Sequence, residues 1–116
     1  MLRIVIAVAF AAPLVAAAAN PPRHTVTGIY ESNWDEVRLV QDGTRIRGTY
    51  VCCGGGTIDG RIEGRHIRYR WQQDGGWGTG VWTVEGNHLS GTWGAEEDDD
   101  DGGRWDLVLA GSEIAN

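Results

Sequence analysis

Apolar and polar residues alternate with a period of two along most of the chain after residue 20. In stretches such as residues 58–62 and 67–71, every second position is apolar, aromatic or glycine, which is the pattern of strands with one buried face. Turn signals separate these stretches, among them Asp42-Gly43. About eight strands follow one another without a gap long enough for a helix. The pattern therefore predicts an all-β, antiparallel up-and-down meander.

Glycine recurs at the centre of several predicted strands, between apolar or aromatic neighbours. The instances are Gly28, Gly48, Gly60 and Gly91. Glycine normally weakens a strand, so its repeated placement indicates a purpose. A tightly curved sheet needs such kinks, and aromatic side chains on neighbouring strands can cover the bare backbone. Because closure also removes the edges of a meander, we predict a small barrel, with a strongly twisted open sheet or a sandwich as the alternative.

The N-terminal segment has the layout of a secretory signal peptide. Arg3 precedes an apolar run from Ile4 to Ala19 that ends in four alanines. The run is short for a membrane span, which needs about 20 apolar residues, and its small residues suit signal peptidase. The prediction is a signal peptide at residues 1–19 and one domain at residues 20–116, periplasmic or secreted, with no membrane span after cleavage.

Charge and motif content narrow the classes of function. The formal net charge is −6, which disfavours nucleic acid and anionic membranes as partners. Six acids lie together at residues 96–101, without the alternating ligand spacing of an EF-hand. The histidines have no metal-site spacing, and the serines form no Gly-x-Ser-x-Gly elbow. We therefore predict a protein that is not an enzyme, with no catalytic residues, no metal and no cofactor.

Cys52 and Cys53 are the only cysteines in the chain. Two cysteines in an oxidising compartment usually pair, and the three glycines that follow can absorb an unusual backbone. We therefore predict a disulfide between these neighbours, against the alternative of one buried and one exposed thiol. The bridge can be an inert element that shapes its loop. The functional interpretations are a rigid edge that contacts a ligand, a redox switch or a site for a soft metal.

Three kinds of residue are candidates for binding. Trp77 lies among glycines, where no alternation explains it. The tryptophans that do follow the alternation are expected in the core; they are Trp71, Trp82, Trp93 and Trp105. Arg68 and Arg70 oppose the apolar phase, as expected of an outer polar face or of a patch for an anionic ligand. Tyr50 ends the strand that leads to the cysteines. The candidate ligand-binding residues are Trp77, Tyr50, Cys52, Cys53, Arg68 and Arg70.

Three segments resemble known strand signatures. Residues 28–30 (GIY), 48–50 (GTY) and 91–94 (GTWG) resemble the Gly-Thr-Trp/Tyr motifs of avidin-like and lipocalin-like barrels. This resemblance implies a barrel that holds a ligand without catalysis. The polar residues that contact biotin in avidins do not align, so no binding residue is carried over. The run from residue 50 to residue 56 is also similar to small exported bacterial proteins of unassigned function.

These observations favour an exported, non-enzymatic binding module for a small ligand, a glycan or a protein partner. The alternative is a structural, interaction or inhibitor-like envelope protein without a ligand pocket. A third hypothesis is a redox- or metal-responsive protein that uses Cys52 and Cys53. An apolar barrel mouth would favour the first hypothesis, and an interior filled with side chains would favour the second.

Overall fold

The computed structural model is a closed antiparallel β-sheet. It describes residues 25–111, so the predicted signal peptide lies outside the described residues. Within this range no helix is long and apolar enough to cross a membrane. The strands are β1 (Gly28–Ser32), β2 (Val37–Asp42), β3 (Arg45–Tyr50), β4 (Gly56–Glu63), β5 (His66–Gln73), β6 (Gly76–Glu85), β7 (His88–Ala95), β8 (Gly103–Arg104) and β9 (Leu107–Gly111).

The strand order is that of an up-and-down barrel. Each strand from β1 to β7 pairs with the next in antiparallel register. β9 closes the sheet, because Leu107 pairs with Ser32 of β1 on one side and with Leu89 of β7 on the other. The two-residue β8 also pairs with β7, so β8 and β9 together fill the eighth position. The predicted barrel of about eight strands is confirmed.

The period-two pattern separates the inner face of the barrel from the outer face. In β5, for example, Ile67 and Tyr69 are buried while Arg68 and Arg70 are exposed. The predicted hairpin at Asp42-Gly43 is also present, with Gly43 in the left-handed region at φ 64°. The largest fully buried side chains are Trp82, Tyr30, Leu39, Ile46, Ile67, Leu89, Leu107 and Val37.

Glycine makes room for aromatic rings inside this narrow barrel. Tyr69 pairs with Gly60 on one neighbouring strand and with Gly80 on the other. A Cβ at Gly80 would collide with the phenol ring of Tyr69 and would lie 2.5 Å from the backbone oxygen of Thr92. At Gly48, Gly60 and Gly91 a Cβ would collide with the backbone of a neighbouring strand. The expected role of glycine in a tightly curved sheet is therefore confirmed.

The two ends of the barrel differ in the connections that join the strands. We call the end formed by the β1–β2, β3–β4 and β5–β6 connections and by the segment between β7 and β9, which includes β8, the mouth. The opposite end is the closed end. At the closed end the strands are joined by short turns at residues 43–44, 64–65 and 86–87. The longer connections at the mouth carry Trp34 and the cysteine pair. Any open space in the interior is therefore expected at the mouth.

Gly80→Ala should destabilise the barrel. The added methyl would overlap the Tyr69 ring, and overpacking of this kind costs about 1–3 kcal/mol. Gly76→Ala in the same strand is the control, because its nearest neighbour would be Trp71 at 4.0 Å. Chemical denaturation should show a lower free energy of unfolding for the first variant and an unchanged or slightly higher one for the second. Equal effects at both positions would contradict the crowding argument.

The fold should lose stability at alkaline pH because of Tyr69. Burial raises the pKa of the Tyr69 phenol, and the negative charge of Asp99 raises it further. In the unfolded chain the phenol has a pKa of about 10. The stability contribution of the protonated phenol is therefore complete below about pH 10. It falls above that pH by up to about 1.4 kcal/mol per pH unit, because only the unfolded chain releases the proton.

Urea unfolding of the wild type and of Tyr69→Phe from about pH 8 to about pH 11 measures this effect. At the lower pH the variant should be about 1 kcal/mol less stable, because it lacks the bond from the Tyr69 hydroxyl to the Thr92 oxygen, which is 2.9 Å long. The gap between the two proteins should narrow above about pH 10. A difference in stability that stays constant over this pH range would show that ionisation of Tyr69 does not cause the loss of stability at alkaline pH.

Candidate functional site

A concave pocket opens at the mouth of the barrel. Its volume is about 140 Å³, close to that of cavities of about 150 Å³ that take up a benzene molecule. Most of its lining is aromatic, and the remainder is one amide side chain and the cysteine pair. We call this site the mouth pocket. Its lining residues are Trp34, Tyr50, Cys52, Cys53, Trp71, Gln73, Trp93 and Trp105.

Trp105 separates the mouth pocket from the filled interior below it. Its ring makes edge contacts with Tyr69 at 5.7 Å and with Trp82 at 5.4 Å between centroids. Tyr69 and Trp82 stack on each other at 4.0 Å, and Trp82 is fully buried. The indole N–H of Trp82 donates to the backbone oxygen of Trp105 at 3.0 Å. The floor of the pocket is thus fixed by the core itself.

The indole N–H groups of Trp71 and Trp105 are used in hydrogen bonds within the chain. Trp71 donates its indole N–H to the backbone oxygen of Gly94 at 3.0 Å, and Trp105 donates to Ser32 Oγ at 3.1 Å. The indole nitrogen of Trp93 is buried and has no partner among the described residues. At Trp71 and Trp105 the indole N–H group is therefore already occupied and not available to a ligand.

The β1–β2 connection holds Trp34 over the pocket by bonds to a distant part of the chain. Trp34 Nε1 and Asn33 Nδ2 both donate to the backbone oxygen of Arg104, at 3.0 and 2.9 Å. The backbone N–H of Asp106 donates to Asn33 Oδ1 at 2.9 Å. Trp34 is nevertheless 39% exposed. It forms a rim that is fixed in position and accessible from solvent.

The cysteine pair forms another part of the rim. Cys52 and Cys53 are joined by a disulfide, with their Cα atoms 3.7 Å apart, as the sequence predicted. Cys53, Gly54 and Gly55 all have positive φ, at 67°, 91° and 90°, which glycine adopts without a steric cost. The backbone N–H of Gly55 donates to the Cys52 oxygen at 2.9 Å and closes the turn. The glycines thus allow the bridge to face the pocket.

Tyr50 and Gln73 supply the polar atoms of the pocket. The Tyr50 hydroxyl donates to Gln73 Oε1 at 2.6 Å, which leaves the amide N–H groups of Gln73 able to donate to a ligand. Tyr50 is the one titratable side chain in the lining described above, and burial raises its pKa. At neutral pH the lining therefore offers hydrogen bonds but no acid, base or free thiol.

Negative charge is concentrated at the mouth. Among the described residues of its connections, the one basic side chain is Arg104, which pairs with Asp106 at 2.7 Å. Carboxylate oxygens of Asp98, Asp99 and Asp100 lie within 4.8 Å of one another. A hydrogen bond with Asp98 and the charge of the neighbouring carboxylates raise the pKa of Asp100. The carboxylates of these connections are Asp35, Glu36, Asp74, Glu96, Glu97, Asp98, Asp99, Asp100, Asp101 and Asp106.

Positive charge lies on the outer wall of the barrel instead. Arg68 and Arg70 are exposed on the outer face of β5, and Arg68 is directly opposite Arg61 of β4. This position matches the expected outer polar face. Arg45 makes the one ion pair that the structure describes on β3 and β4, with Asp59 at 2.8 Å. Arg68 and Arg70 therefore lie outside the mouth pocket.

Trp77 belongs to the outer wall as well. The expectation that it stands outside any strand alternation is wrong, because Trp77 lies within β6 on the face opposite to Trp82. Its ring is half-buried under the guanidinium of Arg70, 4.1 Å from the ring centroid. Gly76, Gly78 and Gly80 hide the alternation of β6, because the inner positions in this part of the strand are glycine. A cation–π contact on the wall accounts for this tryptophan.

The structure thus brings half of the predicted binding residues together. Tyr50, Cys52 and Cys53 line the mouth pocket, whereas Trp77, Arg68 and Arg70 do not. Sequence reasoning assigned the in-phase tryptophans to the core, and Trp71 and Trp93 do pack against it. Their position at the mouth ends of β5 and β7 is the signal that could have indicated a pocket. Trp34 and Gln73 gave no separate signal.

Comparisons with protein-family models, curated proteins and solved structures find no match to this chain.

Replacing Cys52 and Cys53 together by serine should change stability little. The bridge joins adjacent residues, so the chain-entropy relation gives about 1 kcal/mol or less for a ring this short. That corresponds to a few degrees in Tm, at roughly 4–8 °C per kcal/mol. Calorimetry of both proteins measures the shift. Thiol counting on the unfolded, unreduced wild type should find no reactive thiol, and two thiols per chain would contradict the bridge.

Proposed function

We propose that this protein is exported and that it binds a small, compact ligand in the mouth pocket without reacting with it. The observation that carries the proposal is the aromatic pocket of about 140 Å³ at the open end of an otherwise filled barrel. Concave apolar sites with a few polar groups are the usual form of small-molecule sites. This favours a binding module over an interaction protein that lacks a pocket.

The lining supports binding without catalysis. General acid–base chemistry needs a group that titrates near the working pH, and the tyrosine of this lining has a pKa raised above its usual value. Nucleophilic catalysis by cysteine needs a thiolate, and both cysteines of the lining are in a disulfide. The Gln73 amide and the Tyr50 hydroxyl suit the orienting role of polar groups in a binding site.

Export is supported by the sequence of residues 1–19 and is consistent with the disulfide, because disulfides persist in oxidising compartments. The redox- or metal-responsive alternative remains a hypothesis for Cys52 and Cys53. In the bridged form neither sulfur is a thiolate, which is the form that ligates a metal. The bridge therefore supports a role as a wall of the pocket more than as a metal site.

Ligand-observed NMR and tryptophan fluorescence with two probes, benzyl alcohol and choline, test the proposal. We expect saturable binding of at least one probe, with a Kd in the millimolar range or tighter. A millimolar Kd corresponds to a binding free energy of about −4 kcal/mol. Trp34→Ala should weaken that binding at least about five-fold, because its ring forms the rim of the pocket.

Trp77→Ala is the matched control, because it removes a partly exposed tryptophan from the outer wall. Binding to this variant should stay within about two-fold of the wild type, since hot-spot losses arise in the contacted pocket. Saturable binding of neither probe would overturn the proposal. A greater loss in Trp77→Ala than in Trp34→Ala would place the site on the outer wall instead.

A further inference from the structure

The aromatic rings that line the mouth pocket meet one another at steep angles. Trp93 meets Trp34 at 89° with centroids 5.8 Å apart, and it meets Trp71 at 78° with centroids 5.9 Å apart. Tyr50 and Trp105 meet at 88° and 5.4 Å. Five aromatic residues therefore surround the pocket with π systems in more than one orientation. Because the face of an aromatic ring is its negative side, such a space attracts a cation, and tryptophan does so most strongly.

The charge around the pocket has the sign that complements a cation. Among the carboxylates of the mouth connections, ion pairs that the structure describes involve only Glu36 and Asp106. The acidic β7–β8 connection lies against the outer face of β6 and β7 near the mouth, because Thr79 Oγ1 and Thr92 Oγ1 donate to the backbone oxygens of Glu96 and Asp99, each at 2.9 Å. Its carboxylates therefore act on the pocket through their field and not by contact. A cleft with walls of low dielectric constant focuses the field of the surrounding charges. The carboxylates without an ion pair at this end of the barrel therefore favour a cation over an anion in the pocket.

We propose that the mouth pocket selects organic cations with an alkylated ammonium head, such as trimethylammonium, over neutral and anionic ligands of the same shape. This inference rests on the proposed function and names the class of ligand for the same site. Two independent observations support it: the perpendicular arrangement of the rings and the concentration of carboxylates at one end of the barrel.

The polar content of the pocket favours an alkylated head over a simple ammonium group. An ammonium group with N–H donors needs acceptors once it leaves water, and the polar side chains of this lining are those of Tyr50 and Gln73. A trimethylammonium head has no N–H group, and its methyl groups can contact ring faces directly. An anionic head would meet the carboxylates of the mouth without an arginine in the lining.

Choline and its neutral carbon isostere 3,3-dimethylbutan-1-ol provide the direct test. The two molecules share shape and hydroxyl group and differ in the charge of the head. Titration followed by ligand-observed NMR at about 20 mM ionic strength should give a Kd for choline at least about five-fold lower than for the isostere, as expected for a cation–π site. Benzoate should bind more weakly than either.

A pair of triple variants separates the field of the mouth from total charge. The mouth variant carries Asp74→Asn, Glu97→Gln and Asp100→Asn, and the control carries Asp42→Asn, Glu63→Gln and Glu85→Gln near the closed end. All six side chains are exposed, and both variants remove the same charge. The mouth variant should lose more choline affinity than the control. This difference should shrink at high salt, because the Debye length is only about 3 Å at 1 M and exposed charges are then screened.

Trp34→Phe tests the ring itself. Phenylalanine attracts cations less strongly than tryptophan, so the affinity for choline should fall more than the affinity for the isostere. Equal affinity of the wild type for choline and the isostere, or tighter binding of the isostere, would overturn the inference and leave the proposed function standing. Binding of neither these two compounds nor benzyl alcohol would overturn both.

Discussion

The fit between aromatic rings and glycines is the constraint on which this barrel depends. A narrow barrel has little internal volume, and here that volume is filled by stacked and edge-packed rings such as Tyr69, Trp82 and Trp105. Tyr69 fits because both of its cross-strand neighbours, Gly60 and Gly80, lack a side chain. The same glycines let the sheet curve tightly. Closure of the sheet and filling of its interior therefore have one physical origin.

The mouth pocket follows from where this packing stops. Trp105 is the last ring that is fully enclosed, with 4% of its surface exposed. Above it, the interior positions near the strand ends carry Trp71 and Trp93, which pack edge to face on each other and line the pocket. The connections then supply Trp34 and the disulfide as a rim. The upper part of the core and the lining of the pocket are thus built from the same type of residue, aromatic side chains.

The inner and outer faces of the strands could be predicted from sequence because alternation is a local signal. The side chains of Ile67 to Arg70 alternate between the two faces in the sequence and in the structure alike. The pocket could not be predicted in the same way. Trp34, the cysteines and Gln73 belong to three separate connections or strand ends, and only closure of the barrel brings them together. Trp77 was misplaced because the glycines around it erased the alternation.

The position of the two ends of the described domain has a consequence for how the protein can be immobilised or fused to another molecule. β1 begins and β9 ends side by side, with Ile29 opposite Gly111, at the end of the barrel remote from the mouth. A linker to a surface, a fluorophore or a second barrel could therefore leave from either end without crossing the opening. Tethered in this way, the barrel would present its opening to the surrounding solution. Tandem copies on a flexible linker would keep every opening accessible.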